Sequence, residues 1–273
     1  MAVPEQKSST STSPAPRQRA LLRRRGIYLL PNAFTTAALF CGFFAIVMAM
    51  NHRFHHATLA IFVGMVLDSL DGRVARLTRT QSEFGAQYDS LSDMVTFGAA
   101  PALVIYEWSL KGMGNLGWMA AFIYCAAAAL RLARFNTNIT VVDKRYFQGL
   151  PSPAAAAIVA GFVFMMDDLH YLGAKFCWLS WSITLFAGLT MVTNIPYYSF
   201  KDINFRKSVP FIVAFLIALA IVLIMSDPHK VIFGLFVVYG ISGYVVYFWR
   251  LAKGKPVSIV QTEPEDLEVK EAE

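Results

Sequence analysis

The chain has 273 residues, of which 56% are hydrophobic and 15% charged. Soluble domains average about 45–50% apolar and about 25% charged residues, so these proportions exclude an ordinary soluble globule, and the long apolar runs exclude disorder for most of the chain. The net charge of +6 is expected to form a basic rim around a membrane body rather than a surface for nucleic acid.

Residues 1–26 are rich in Ser, Thr and Pro and then basic at Arg17, Arg19, Arg23, Arg24 and Arg25. Such a segment cannot bury enough surface to fold alone and reads as a disordered tail. The apolar run that follows continues to Met50, too long for a secretory signal, and reads as a first transmembrane helix. About 20 mostly apolar residues span a bilayer. That rule marks 27–50, 55–77, 89–110, 117–134, 151–167, 176–194, 209–226 and 231–250. The second and third contain carboxylates, and the fifth opens at Pro151 and Pro153, which suit the first turn of a helix. Residues 251–273 form an acidic tail. The expected fold is therefore all-α: a polytopic membrane helix bundle of about eight spans within 27–250, flanked by two tails.

Basic residues set the expected orientation. With both termini cytoplasmic, 20 of the 24 Lys and Arg fall on the cytoplasmic side, leaving Arg53, Lys111, Lys175 and Lys230 opposite. This asymmetry agrees with the positive-inside rule and with an even number of spans. Cys41, Cys125 and Cys177 each lie in an apolar run. Their odd count and spacing give neither a disulfide framework nor a zinc site. There is no internal repeat of transporter type and no Gly-rich phosphate loop.

The chemistry-bearing stretch runs from Asp68 to Asp93. Asp68 and Asp71 are three residues apart on one predicted helix, and Asp89 and Asp93 are four apart on the next. Each pair therefore points off one helix face. A charge at membrane depth costs at least about 2.5–3.5 kcal/mol, and clustered like charges cannot all ionise without a cation. Carboxylates without His or Cys favour Mg²⁺, Mn²⁺ or Ca²⁺. Four of them can hold two metals about 3.5–4 Å apart, as in phosphoryl-transfer sites. Gly72, Ala75 and Gly85 lack bulk, so a ligand can approach the backbone, and Arg76 can pair with a phosphate. The competing readings are structural salt bridges or a proton path for the aspartates and a membrane anchor for Arg76.

In order, these residues read D-x2-D-G-x2-A-R-x8-G-x3-D-x3-D. The pattern closely resembles the signature of the CDP-alcohol phosphotransferases and matches it without departure. The resemblance implies transfer of a phosphatidyl or related group from a CDP-linked donor to an alcohol, with release of CMP. It further implies that Asp68, Asp71, Asp89 and Asp93 hold divalent metal, two Mg²⁺ or Mn²⁺ ions. Asp93 is also expected to act as general base, and Gly72, Ala75, Arg76 and Gly85 to line the CDP pocket. Dimers are common in the family, so a homodimer is expected.

Softer motifs extend the likeness over about residues 30–200. They are Leu30-Pro31-Asn32 with Thr35, Ser90 to Pro101, Arg131 to Asn136, and Phe147 to Pro153. They are similar to the integral-membrane branch of the family that uses CDP-diacylglycerol as donor and L-serine as acceptor. That likeness implies a protein of the bacterial inner membrane with its site facing the cytoplasm and membrane lipids around it. Arg131 and Arg134, three residues apart near the cytoplasmic boundary, can fork onto the serine carboxylate or a donor phosphate, with Asn136 and Ser152 beside them. The competing reading makes both arginines interfacial anchors. Asn32 and Thr35 can hydrogen-bond cytidine or phosphate, or simply cap a helix. The alternatives for the whole chain are the same chemistry on another alcohol (a phosphatidylcholine or phosphatidylglycerophosphate synthase) or, from another class, a cation-coupled transporter. The transporter would need an ion gradient and would not need the Gly, Ala and Arg positions.

Overall fold

The computed structural model describes residues 16–78, 82–137, 146–199, 222 and 225–253. These are mostly helical. Helices α1 (Pro16–Met50), α2 (Phe54–Thr78), α3 (Glu83–Asp93), α4 (Ala100–Trp108) and α5 (Asn115–Thr137) are followed by strand β1 (Tyr146–Gln148), α6 (Ser152–Asp168), α7 (Cys177–Val192), strand β2 (Pro196–Tyr198) and α8 (Pro228–Ala252). Seven of the eight expected spans coincide with helical stretches. The eighth, 209–226, lies almost wholly outside the described residues, as do residues 1–15 and 254–273 of the two tails.

Four helical segments are long and apolar enough to cross a bilayer: Asn32–Met50, Asn115–Thr137, Gly173–Val192 and Pro228–Ala252. The protein is an integral membrane protein. The other segments fall short for physical reasons. Helix α2 carries Asp68, Asp71, Arg73 and Arg76. Helix α6 has 17 residues and is buried almost throughout, with Ala155, Ala156 and Ala157 fully enclosed. Such small side chains let helices approach closely where no hydrophobic drive separates protein from lipid. Helix α6 accordingly forms the centre of the bundle, packed by α2, α4, α7 and α8.

Three boundaries differ from expectation. Helix α1 begins at Pro16, so helical backbone continues into the stretch expected as a disordered tail. The third expected span starts earlier, at Glu83, because the Ser82 hydroxyl caps it by accepting from the Gly85 N–H at 3.0 Å. It is also not one regular helix, since a π-helical turn over Met94–Ala99 joins α3 to α4. Helix α6 begins at Ser152 with Pro in its first turn, as expected.

The all-α expectation misses one feature, a two-stranded antiparallel ribbon pairing Phe147 with Tyr197. It is fastened at Gly149, whose φ of +77° is a conformation that glycine adopts without strain. A Cβ there would collide with the carbonyls of Met191 and Thr193. All three cysteines are free.

Candidate functional site

Helices α1, α2, α3 and α5 bring the signature residues together. One carboxylate oxygen from each of Asp68, Asp71 and Asp89 lies within 4.8 Å of the others. Asp93 joins them by a side-chain contact with Asp68 and stands in the field of Arg131. The two pairs expected on separate helix faces thus converge on one place.

The donor set suits a hard divalent cation, being all oxygen with no His or Cys. The Asp89 Oδ1 atom is buried without a hydrogen-bond partner. A buried carboxylate oxygen left unmet costs free energy, and a cation would supply the missing partner.

Helix α1 holds the cluster from behind. The Thr35 hydroxyl donates to Asp71 Oδ2 at 2.8 Å. The Thr35 carbonyl in turn accepts from the Ser92 hydroxyl at 3.1 Å, and the Ala38 carbonyl accepts from Thr96 at 3.1 Å. This closeness needs small residues. A Cβ on Gly42 or Gly64 would come within 2.8 Å of Thr96 atoms, so α1 and α2 close onto the turn after Asp93 only with glycine there. Asn32 and Thr35 lie inside α1, which corrects the capping alternative for both. Thr35 instead orients a site carboxylate.

The small residues of α2 and α3 border the cluster. A side chain at position 72 would meet nothing within 4 Å, so the surface beside Asp71 is open. Ala75 follows one turn later on the same face. Arg76 is exposed, and its Nε donates to the Gly72 carbonyl at 2.9 Å, which steadies the guanidinium at the rim. Gly85 stands against Asn32, whose Oδ1 would be 3.7 Å from an added Cβ.

The two arginines of α5 part company. Arg131 is 8% exposed. Its Nη1 donates to the Ser152 hydroxyl at 2.7 Å, and its Nε has no partner. A buried cation with an unused donor, in the field of Asp93, is suited to an anionic group. Arg134 instead donates to the carbonyls of Gln148, Met191, Val192 and Thr193 and to Asn194 Oδ1. Its guanidinium caps the C-terminus of α7 and ties the ribbon to α5. The partners it has here are backbone carbonyls and an amide, where an acceptor carboxylate or a phosphate was expected. Asn136 donates to the Ser90 hydroxyl at 3.0 Å, bridging α5 to α3 next to Asp89.

Sequence reasoning missed Tyr124. It is fully buried, and its hydroxyl donates to the Phe97 carbonyl at 3.0 Å inside the π-turn. A signal existed in the sequence: Pro101 follows Phe97 by four residues and has no N–H to offer that carbonyl.

Four helices long and apolar enough to cross a bilayer, carboxylates clustered from two helices and a buried arginine on a third define the class: an integral membrane protein with an acidic cluster whose donor set suits a cation. Comparison with known proteins narrows the class. Residues 28–193 match the CDP-alcohol phosphatidyltransferase family, and the chain belongs to that family. It is similar to the CDP-diacylglycerol–serine O-phosphatidyltransferase of Helicobacter pylori, at 36% identity over 229 residues covering 84% of this chain and 96% of the relative. It is also similar to proteins of the same name from Methanocaldococcus jannaschii, at 36% identity over 68% of this chain and 82% of the relative, and from Bacillus subtilis, at 33% over 63% and 91%.

Proposed function

We propose that this protein transfers the phosphatidyl group of CDP-diacylglycerol to L-serine, giving phosphatidylserine and CMP. The convergence of Asp68, Asp71 and Asp89 within 4.8 Å, with a buried oxygen of Asp89 left unpartnered, carries the reading. The relatives named for this reaction, matched over most of the chain, support serine as acceptor.

Asp68, Asp71, Asp89 and Asp93 would hold two divalent cations, Mg²⁺ or Mn²⁺. When bound, such ions offset the charge that develops on phosphoryl and leaving-group oxygens. The open surface beside Gly72, with Ala75, Arg76, Gly85 and Asn32, receives the CDP moiety, and the acyl chains stay in lipid. Arg131, presented with Ser152 and Asn136 nearby, receives the serine carboxylate or a donor phosphate. Asp93 accepts the proton of the serine hydroxyl as general base. The hydroxyl oxygen then forms its bond to the lipid-side phosphorus as the bond to CMP breaks.

The excess of basic residues on one set of loops supports both termini and the site facing the cytoplasm, in a bacterial inner membrane. In this reading the bundle has eight spans within 27–250 and works as a homodimer. Asp93→Asn tests the chemistry: turnover should fall by about 10²-fold or more with the fold kept, measured as serine-dependent CMP release alongside thermal unfolding. Near-normal turnover would remove Asp93 from its role.

A further inference from the structure

The π-turn over Met94–Ala99 begins directly after Asp93, and Pro101 explains why it is there. In an α-helix the Phe97 carbonyl would accept from the N–H of residue 101. Proline has none, and its ring would press on that same carbonyl. Widening the helix at this point relieves the clash, and the Ala100 N–H reaches back five residues to the Val95 carbonyl. The Phe97 carbonyl, denied an N–H at residue 101, accepts from the Tyr124 hydroxyl at 3.0 Å. Phe97 and Tyr124 are both fully buried, so water cannot substitute for that hydroxyl.

Tyr124 belongs to a stripe on α5. Tyr124, Ala128 and Arg131 are spaced four and three residues apart and share one face. Tyr124 meets the Phe97 carbonyl. Ala128 meets Gly98, where an added Cβ would lie 3.2 Å from the Ala128 methyl group. Arg131 stands in the field of Asp93. One helix face therefore fastens the π-turn and carries the arginine whose charge acts on the carboxylate just before it. A π-turn shifts the register of the helix downstream relative to the helix upstream. Asp89 and Asp93 can then face α2 while Ala102, Val104 and Ile105, all buried, pack into the core.

We infer that Tyr124 is a positioning residue for the transfer reaction: through the Phe97 carbonyl freed by Pro101 it holds the π-turn that aims Asp93. The inference rests on the proposed function, in which Asp93 is the base, and extends it to a residue that touches neither substrate nor metal. Asp68, Asp71 and Asp89 do not depend on the turn in the same way. Asp68 and Asp71 belong to α2, and Asp89 lies a full helical turn before the turn begins.

The test is Tyr124→Phe in the full-length protein in detergent, assayed by serine-dependent CMP release with a Mn²⁺ titration. Turnover should fall by about tenfold or more, because a small misplacement of a reacting group is costly. At saturating Mn²⁺ the KM values for both substrates should stay within about threefold, while the Mn²⁺ midpoint should rise, because the turn aims Asp93 as a metal ligand as well as a base. Thr184→Val is the control. It removes another fully buried hydroxyl, one that donates to the Ser180 carbonyl at 2.7 Å on α7, and should leave turnover unchanged. Pro101→Ala approaches from the other side: restoring an N–H at 101 lets the turn relax toward α-helix and should give the same selective fall in turnover. Wild-type turnover in Tyr124→Phe, or an equal loss in Thr184→Val, would overturn the inference. Absence of serine-dependent CMP release from the wild type would instead overturn the function on which it rests.

Discussion

Replacing Thr35 by valine removes one hydroxyl and keeps the shape of the side chain. That hydroxyl donates to Asp71 Oδ2 at 2.8 Å, and both residues are 4% exposed, so water cannot take its place. A hydrogen bond to a charged group contributes about 1.5–3 kcal/mol, which at about 1.4 kcal/mol per decade is roughly 10–150-fold in an equilibrium constant. Partners that orient metal-binding carboxylates are worth about 10–100-fold in metal affinity, so the two estimates agree. The expected result for Thr35→Val is a rise of about tenfold or more in the Mn²⁺ or Mg²⁺ concentration giving half-maximal CMP release. The KM for CDP-diacylglycerol should be nearly unchanged at saturating metal. A metal midpoint that stays put while that KM rises would refute the reasoning, since Thr35 would then be contacting the nucleotide and not holding Asp71.

Arg134→Gln should lower the thermal unfolding midpoint, because the guanidinium satisfies four carbonyls at the end of α7 and the ribbon, three of them in part-buried bonds, and a fully buried acceptor left unmet costs about 1–3 kcal/mol, an upper bound for each of these. Its KM for serine should match the wild type; a raised KM with unchanged stability would return Arg134 to the acceptor site. Gly149→Ala should destabilise further. The φ of +77° alone costs a non-glycine residue about 1–2 kcal/mol, and the added methyl collides with the Met191 and Thr193 carbonyls; a melting curve superimposable on the wild type would contradict the assigned ribbon geometry.

The legible features are those whose partners lie close in sequence. The aspartate pairs are three and four residues apart, so helical periodicity alone sets each on one face, and the signature spacing brings the pairs together. The start of α6 at its prolines is local in the same sense. The features that stayed hidden depend on distant partners. Arg134 reads as an anion ligand until the carbonyls of residues 148 and 191–193 are seen around it. The ribbon pairs three-residue strands nearly 50 residues apart, too short for any alternating pattern to show. The π-turn could be suspected from Pro101, but the group that completes it, Tyr124, lies 27 residues from Phe97. Thr35 illustrates a third case. Its hydroxyl is legible in the sequence as a donor, yet its partner is a carboxylate on another helix 36 residues away.

The central claim is the acceptor, and it is tested by giving the purified protein in detergent micelles labelled CDP-diacylglycerol and Mn²⁺ or Mg²⁺, with serine, choline, inositol and glycerol 3-phosphate offered separately. The account predicts metal-dependent CMP release and a new phospholipid with serine alone, without any ion gradient. Product formed with one of the other alcohols instead, or no transfer in the absence of a gradient, would contradict it.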